Sequence, residues 1–268
     1  MRYIHGSGAR ALAGLAALAA LGLGVACSSG SEAPSELDDH AGERGSVSSA
    51  LVTGSALDGG DPEGGLPPPK TSRFDVTPAE RDATGWGFAD VTTVSWARAS
   101  RMAHNYCASH GFASGHPTGF QAPNGAVGVT CFPNDAPVLV VNQQDLRNTN
   151  CPIDPSAPTD INVIGWTQGG CLAHRLCIAR NYETGLFTGH QTAPGASYSV
   201  VCLKDEYALQ GDTPVSWASG GPDGFRNIDT VPWHQATRQA AWVCGTSRYG
   251  GFYNGEHNDQ YLGLICYR

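Results

Sequence analysis

Apolar and small side chains recur at fixed distances from three tryptophans, Trp96, Trp166 and Trp233. With each Trp as position zero, apolar residues stand two places earlier (Val94, Ile164, Val231) and five places earlier (Val91, Ile161, Ile228). Six places earlier stands Asp90, Asp160 or Asn227, so a short lead-in strand or turn is expected. Small residues follow at plus three (Ala99, Gly169, Ala236) and plus seven (Ala103, Ala173, Ala240). An apolar residue at plus ten (Tyr106, Leu176, Val243) and a Cys at plus eleven complete the set. These positions fall on one face of a 3.6-residue helix. The small residues would let that helix lie close against a sheet.

Four places beyond each helical Cys stands Gly111, Asn181 or Arg248. Gly and Asn suit the left-handed conformation that ends many helices; Arg does not. Next come an aromatic residue (Phe112, Tyr182, Tyr249) and the pairs Thr118-Gly119, Thr188-Gly189 and Asn254-Gly255. Those pairs read as two-residue hairpin turns, Asn-Gly giving the strongest signal. Each stretch closes with a strand-like run: Val127 to Phe132, Tyr198 to Leu203 and Tyr261 to Tyr267. The pattern predicts an α+β fold, a pseudo-threefold domain of three disulfide-stapled repeats. Each repeat is a helix followed by a small antiparallel β-meander. The boundaries are 71–135, 136–205 and 206–268.

Six of the nine cysteines recur within the repeats, which predicts the bonds Cys107–Cys131, Cys177–Cys202 and Cys244–Cys266. Each would close a loop of about 25 residues, worth about 3 kcal/mol in chain entropy. Cys151 and Cys171 remain to pair with each other, and Cys27 is left over. Paired cysteines fit an oxidising compartment.

The first 26 residues are set apart from the fold. Arg2 and Arg10 precede an apolar run from Ala11 to Ala26, which is short for a membrane span and ends in small residues, as a signal peptide does. Cys27 and Ser28-Ser29-Gly30 follow directly. This stretch resembles a bacterial lipoprotein precursor, although Gly24 stands where that signal usually has Leu. The resemblance implies diacylglyceryl and palmitate attachment at Cys27, a membrane anchor in the cell envelope. Ser28 at the next position is similar to lipoproteins sent to an outer membrane, where the organism has one. Gly24-Val25-Ala26 also suits an ordinary signal peptidase and a secreted product.

Residues 27–70 hold no aromatic residue; from Ser28 they carry eight acidic and two basic side chains, a net of −6. So polar a stretch is expected to be a disordered tether after the lipidated Cys27, spanning roughly 35–40 Å on average. From Thr71 onward the net is −4. An acidic chain with two Lys in all is a poor match for nucleic acid, which asks for clustered basic residues.

The chemistry-bearing candidates cluster around the expected turns. Phe120-Gln121, His190-Gln191 and Glu256-His257 each follow the turn glycine, with Phe112, Tyr182 or Tyr249 nearby as a flat apolar face. Amides, carboxylates and aromatic faces at exposed tips are the equipment of a carbohydrate site, so these nine residues form the candidate ligand-binding set. Trp86, Trp217 and Trp242 have no place in the repeat and are freer to be exposed. His104 and His174 share position plus eight, but Ala241 occupies it in the third copy, which excludes a threefold metal site there. No zinc spacing and no nucleophile elbow is present, so no metal, cofactor or catalytic residue is assigned and an enzyme is not expected. The expected function is that of a lipid-anchored envelope protein that binds glycan in the manner of a lectin. The alternative is a structural or interaction lipoprotein that binds another envelope protein. A polysaccharide hydrolase ranks last, since it needs two carboxylates at a set spacing in a cleft.

Overall fold

The computed structural model describes residues 70–152, 160–192, 196–244 and 250–268. The expected signal peptide, Cys27 and all but the last residue of the tether lie outside this range, as do Arg248 and Tyr249. The described residues form an α+β structure of three small antiparallel sheets, several helices and four disulfides.

In the first segment, strand β1 (Ser72–Val76) and helix α1 (Pro78–Ala83) precede the long helix α2 (Trp96–Ser109), with β2 (Ser114–Gln121) and β3 (Val127–Phe132) after it. The second segment runs β4 (Val138–Val141), α3 (Gln143–Arg147), α4 (Trp166–Ile178), β5 (Thr184–Gln191) and β6 (Tyr198–Leu203). The third runs β7 (Ala208–Pro214), α5 (Val215–Ala218), α6 (Trp233–Val243), β8 (Gly251–His257) and β9 (Tyr261–Tyr267). The sheet orders are β1-β3-β2, β4-β6-β5 and β7-β9-β8, antiparallel throughout. The expected meander is therefore incomplete. A strand ahead of each long helix joins the sheet at its edge, and the last strand, which carries the Cys, becomes central.

The expected hairpin turns are also corrected. Thr118-Gly119, Thr188-Gly189 and Asn254-Gly255 lie inside β2, β5 and β8, where the register slips between Pro117 and Gln121, Phe187 and Gln191, and Tyr253 and His257. These are β-bulges. The glycines hold φ of +73°, +82° and +85°, and the buried Thr118, Thr188 and Asn254 side chains accept the amide two residues on. A glycine with positive φ serves a bulge as well as a turn. The chain reverses later, in loops closed by Ala122 N–Ala126 O and Asn258 N–Tyr261 O bonds of 2.8 and 2.9 Å and by a Thr192 N–Ser197 O bond of 3.1 Å.

Gly111 and Asn181 take positive φ just past α2 and α4, as the capping pattern requires. The lead-in is a turn, not a strand. Asp90, Asp160 and Asn227 each accept the backbone N–H two residues on, at 2.8 Å.

The position-zero tryptophans explain how the segments meet. Trp96 Nε1 donates to Ile164 O at 2.9 Å, Trp166 Nε1 to Val231 O at 3.0 Å and Trp233 Nε1 to Val94 O at 3.0 Å. Each indole thus reaches the next segment and the third returns to the first. The small residue at plus three receives the visiting ring: a Cβ on Gly169 would lie 2.8 Å from Trp96, and Ala99 shares a cluster with Trp233. That position faces a neighbour's Trp and not a sheet, contrary to expectation. The plus-seven position does face its own sheet, with the Ala103 carbonyl against Gly115 and the Ala173 carbonyl against Gly185. Besides its own sheet, α2 packs on β5, α4 on β8 and α6 on β2. Phe132, Val201, Leu203, Phe252, Ile265 and Tyr267 from all three sheets form one shared core cluster.

Candidate functional site

Each junction between segments has the same parts: a bulge glycine from one segment and the long helix of another. A Cβ on Gly189 would overlap the Ala97 carbonyl, on Gly255 the Thr167 carbonyl, and on Gly119 the His234 carbonyl. The residue after the glycine differs between junctions, and at two of them it meets the end of the neighbouring helix.

At the first junction His190 meets that end. Its Nε2 lies 3.0 Å from Asn105 Oδ1 and its ring 5.2 Å from that of His104, which bonds the Ser114 hydroxyl at 3.0 Å. Burial holds His104 down at about 4, the His190 ring adding to the effect, and also lowers His190. Trp86 packs edge-on against His190 and under the Arg101 guanidinium, 4.6 Å from the ring centroid; Arg101 also donates to Gly189 O and to Asn162. At the second junction Glu256 takes the equivalent place. It pairs with Arg175 and lies 3.9 Å from the buried His174, itself held at about 4 by burial and the Arg175 charge. The plus-eight histidines and the residues after the bulge glycines, read separately in the sequence, therefore face each other.

Most of the remaining candidates serve the scaffold. Gln121 Oε1 accepts Val91 N at 2.8 Å while its Nε2 donates to Ala89 O at 3.0 Å. Gln191 likewise accepts Ile161 N at 3.0 Å and donates to Asp160 at 2.8 Å. His257 stands 3.3 Å from Asp229 in the corresponding turn. All three pin a lead-in turn to its own sheet. Phe112 packs into the core with Phe74 and Met102, and Tyr182 packs against the second segment's core. Of the tips expected to project, only Phe120 is exposed and the others are partly covered at the junctions, so three equivalent exposed sites are not present among the described residues.

Two hollows remain. The first is lined by all three position-zero tryptophans together with His116, Thr237 and Tyr253, with a volume of about 40 Å³. That is room for a water molecule and little more. The buried Nδ1 of His116 and Oη of Tyr253 lack protein partners there, and burial lowers His116 to about 3. The second hollow is a wide-open, shallow groove of about 350 Å³ at the third junction. Asp90, Thr92, Gln121 and Arg238 supply its polar groups; Val91, Ala122 and Pro123 supply the apolar ones.

Arg238 holds that groove's geometry. One amino group donates to Gly119 O at 3.1 Å; Nε and the other meet the Asp223 carboxylate at 2.8 and 2.5 Å, which raises the guanidinium's already high pKa. Asp90 is held below the usual carboxylate range by the Thr92 backbone N–H and then its hydroxyl. Phe120, next to Gln121, is 45% exposed, and Trp242, one turn beyond Arg238 on α6, is 51% exposed. Trp86, by contrast, is tied to His190 and Arg101. Of the candidate set only Phe120 and Gln121 belong to this junction. Arg238, Asp223 and Asp90 were not singled out as binding residues. The signal available for Arg238 was its position, five past Trp233, which Arg101 shares relative to Trp96.

Comparison with protein-family models, curated proteins and solved structures returned no match. Among the described residues no helix is long and apolar enough to cross a membrane, and no cluster of three metal-ligating side chains occurs. The four disulfides are consistent with a compartment outside the cytoplasm.

Proposed function

We propose that the chain is an exported, lipid-anchored envelope protein that binds glycan in a lectin-like manner through one surface, at the third junction. The observation that carries this reading is the open groove, where Asp90 and Arg238 stand beside Ala122 and Pro123. Sugars present hydroxyls and a flat apolar face together, and this groove offers partners for both. At the other two junctions the residue after the bulge glycine is taken up by the neighbouring helix, whereas Phe120 at the third is 45% exposed. In this reading Cys27 carries the lipid and the acidic tether holds the domain away from the membrane.

The architecture is read as one module used three times about a pseudo-threefold axis. The shared strand order and the ring of indole-to-carbonyl bonds support it. The axis then passes through the hollow lined by the tryptophans.

A glycan array probed with the purified chain lacking its signal peptide tests the function; binding at millimolar sugar is expected. No binding to any glycan at that concentration defeats the proposal. A second reading, an interaction lipoprotein that docks another envelope protein, draws on the 74% and 75% exposure of Val140 and Val163 in the second segment. A stoichiometric protein partner, captured equally with and without sugar and lost on Val140→Asp, would favour it.

A further inference from the structure

Two half-exposed indoles, Trp217 on α5 and Trp242 on α6, supply an aromatic platform, and the loop between these helices is braced. Gly221, at a φ of +83°, lies against the fused edge of the Trp242 indole, where an added Cβ would stand 2.8 Å from the ring. Its backbone therefore backs one side of the ring while half of the residue remains open to solvent. Gly220 meets the backbone of one and the ring of the other, its Cβ direction 3.5 Å from the Trp217 carbonyl oxygen and 3.9 Å from the Trp242 indole. The buried Gln239 amide fastens this loop to α6, donating to Trp217 O at 3.3 Å and to Gly220 O at 2.5 Å. Two tryptophans 44% and 51% exposed are thus fixed to a braced backbone.

The platform adjoins the groove through Arg238. Arg238 and Trp242 are four residues apart on α6, so they share a face and stand about 6 Å apart along the axis. That is close to the advance of one pyranose in a linear glycan. Asp223, which fixes Arg238, lies two residues past Gly221, so one loop holds both the polar fork and the indole. We propose that groove and platform act as consecutive subsites, and that the ligand is an extended linear oligosaccharide and not a single terminal sugar. The inference rests on the glycan-binding reading above. An aromatic platform favours uncharged rings that lay an apolar face on the indole, and a net charge of −8 on the chain disfavours polyanions.

The test titrates the whole mature chain with the cello-, malto- and chito-oligosaccharide series, one to six sugars long, by calorimetry and tryptophan fluorescence. In at least one series affinity should climb with length up to three or four sugars. Trp242→Ala and Trp217→Ala should each weaken the longer members about three- to tenfold and leave the shortest binder of that series unchanged. Both side chains are half-exposed, so melting curves close to the parent's are expected. Trp242→Phe, which keeps an aromatic face, should recover part of the lost affinity. Length-independent affinity, or Trp variants that bind long chains normally, overturns the two-subsite inference and leaves the glycan reading standing. No binding in any series or on the array removes both. Sugar-insensitive capture of a protein that Trp242→Ala abolishes overturns the inference in favour of a protein ligand.

Discussion

Replacing Gly189 by alanine tests whether the segments are locked through their bulges. Two costs can be separated. Gly189 has φ +82°, and a left-handed backbone costs an L-residue about 1–2 kcal/mol. The new Cβ would also overlap the Ala97 carbonyl and lie 2.9 Å from Arg101 N. Both atoms belong to the α2 backbone, so no side-chain rotation relieves the clash. The helix must withdraw, which disturbs the seat of Trp233 on Ala99 and the Trp96 bond to Ile164. Overpacking of this kind costs about 1–3 kcal/mol, for a total of about 2–5. Gly111 supplies the control, since its φ is +85° with nothing within 4 Å of its Cβ direction, so only the conformational cost applies.

The assay is thermal and urea unfolding with the disulfides intact. For a domain of this size 1 kcal/mol moves Tm by about 2–4 °C. Gly111→Ala should lower Tm by about 2–8 °C. Gly189→Ala should fall further by about 1–3 kcal/mol, roughly another 2–12 °C. Gly119→Ala and Gly255→Ala meet the backbones of His234 and Thr167 in the same way and should match Gly189→Ala. If all three cost no more than Gly111→Ala, the bulges do not bear on neighbouring helices and the junctions described above are wrong.

Two further outcomes follow from the same contacts. Trp96→Phe, Trp166→Phe and Trp233→Phe should each destabilise by about 1–3 kcal/mol in urea melts, because each leaves a backbone carbonyl without its indole donor; one neutral variant would break the proposed equivalence. Acid should weaken the fold before the carboxylates titrate: His104 and His174 fold with pKa values of about 4, below the unfolded 6.5, so the native state binds fewer protons. Their stabilisation is complete above pH 6.5 and is lost as pH falls toward 4, at up to about 1.4 kcal/mol per pH unit for each histidine. His174→Gln should flatten that slope, and equal stability at pH 7 and pH 4.5 in the parent would contradict the buried, neutral assignment.

The three long helices, the last strand of each segment and all four disulfides were legible because helical spacing and cysteine position are local marks. The runs Val127 to Phe132, Tyr198 to Leu203 and Tyr261 to Tyr267 coincide with β3, β6 and β9. The edge strands were not legible. SRFDV, VLVV and ALQGDTP share no side-chain pattern, and the separation from each to its tryptophan varies. The bulges were misread for a physical reason: Thr-Gly and Asn-Gly give the positive φ that hairpin turn and bulge both require. What decides between them is the helix pressed on the glycine, and that helix lies in another segment. The indole bonds span 68, 65 and 139 residues, a scale at which local periodicity is silent.

The candidate site was only half legible because it arises from a difference between equivalent positions. Arg101 and Arg238 both reach the carbonyl of a neighbour's bulge glycine. Ten residues before Trp96 stands Trp86, which covers Arg101 and closes on His190; ten before Trp233 stands Asp223, which grips Arg238 from the side without an aromatic cover. At plus eight the first segment has a histidine that faces another histidine, while the third has Ala241, too small to reach across. The third junction is also where the open groove lies, with Arg238 as its one lining residue from α6. Once the fold is held by bonds common to all three junctions, departures from the shared pattern are free to carry a ligand, and at this junction they leave polar groups and half-exposed rings together on the surface.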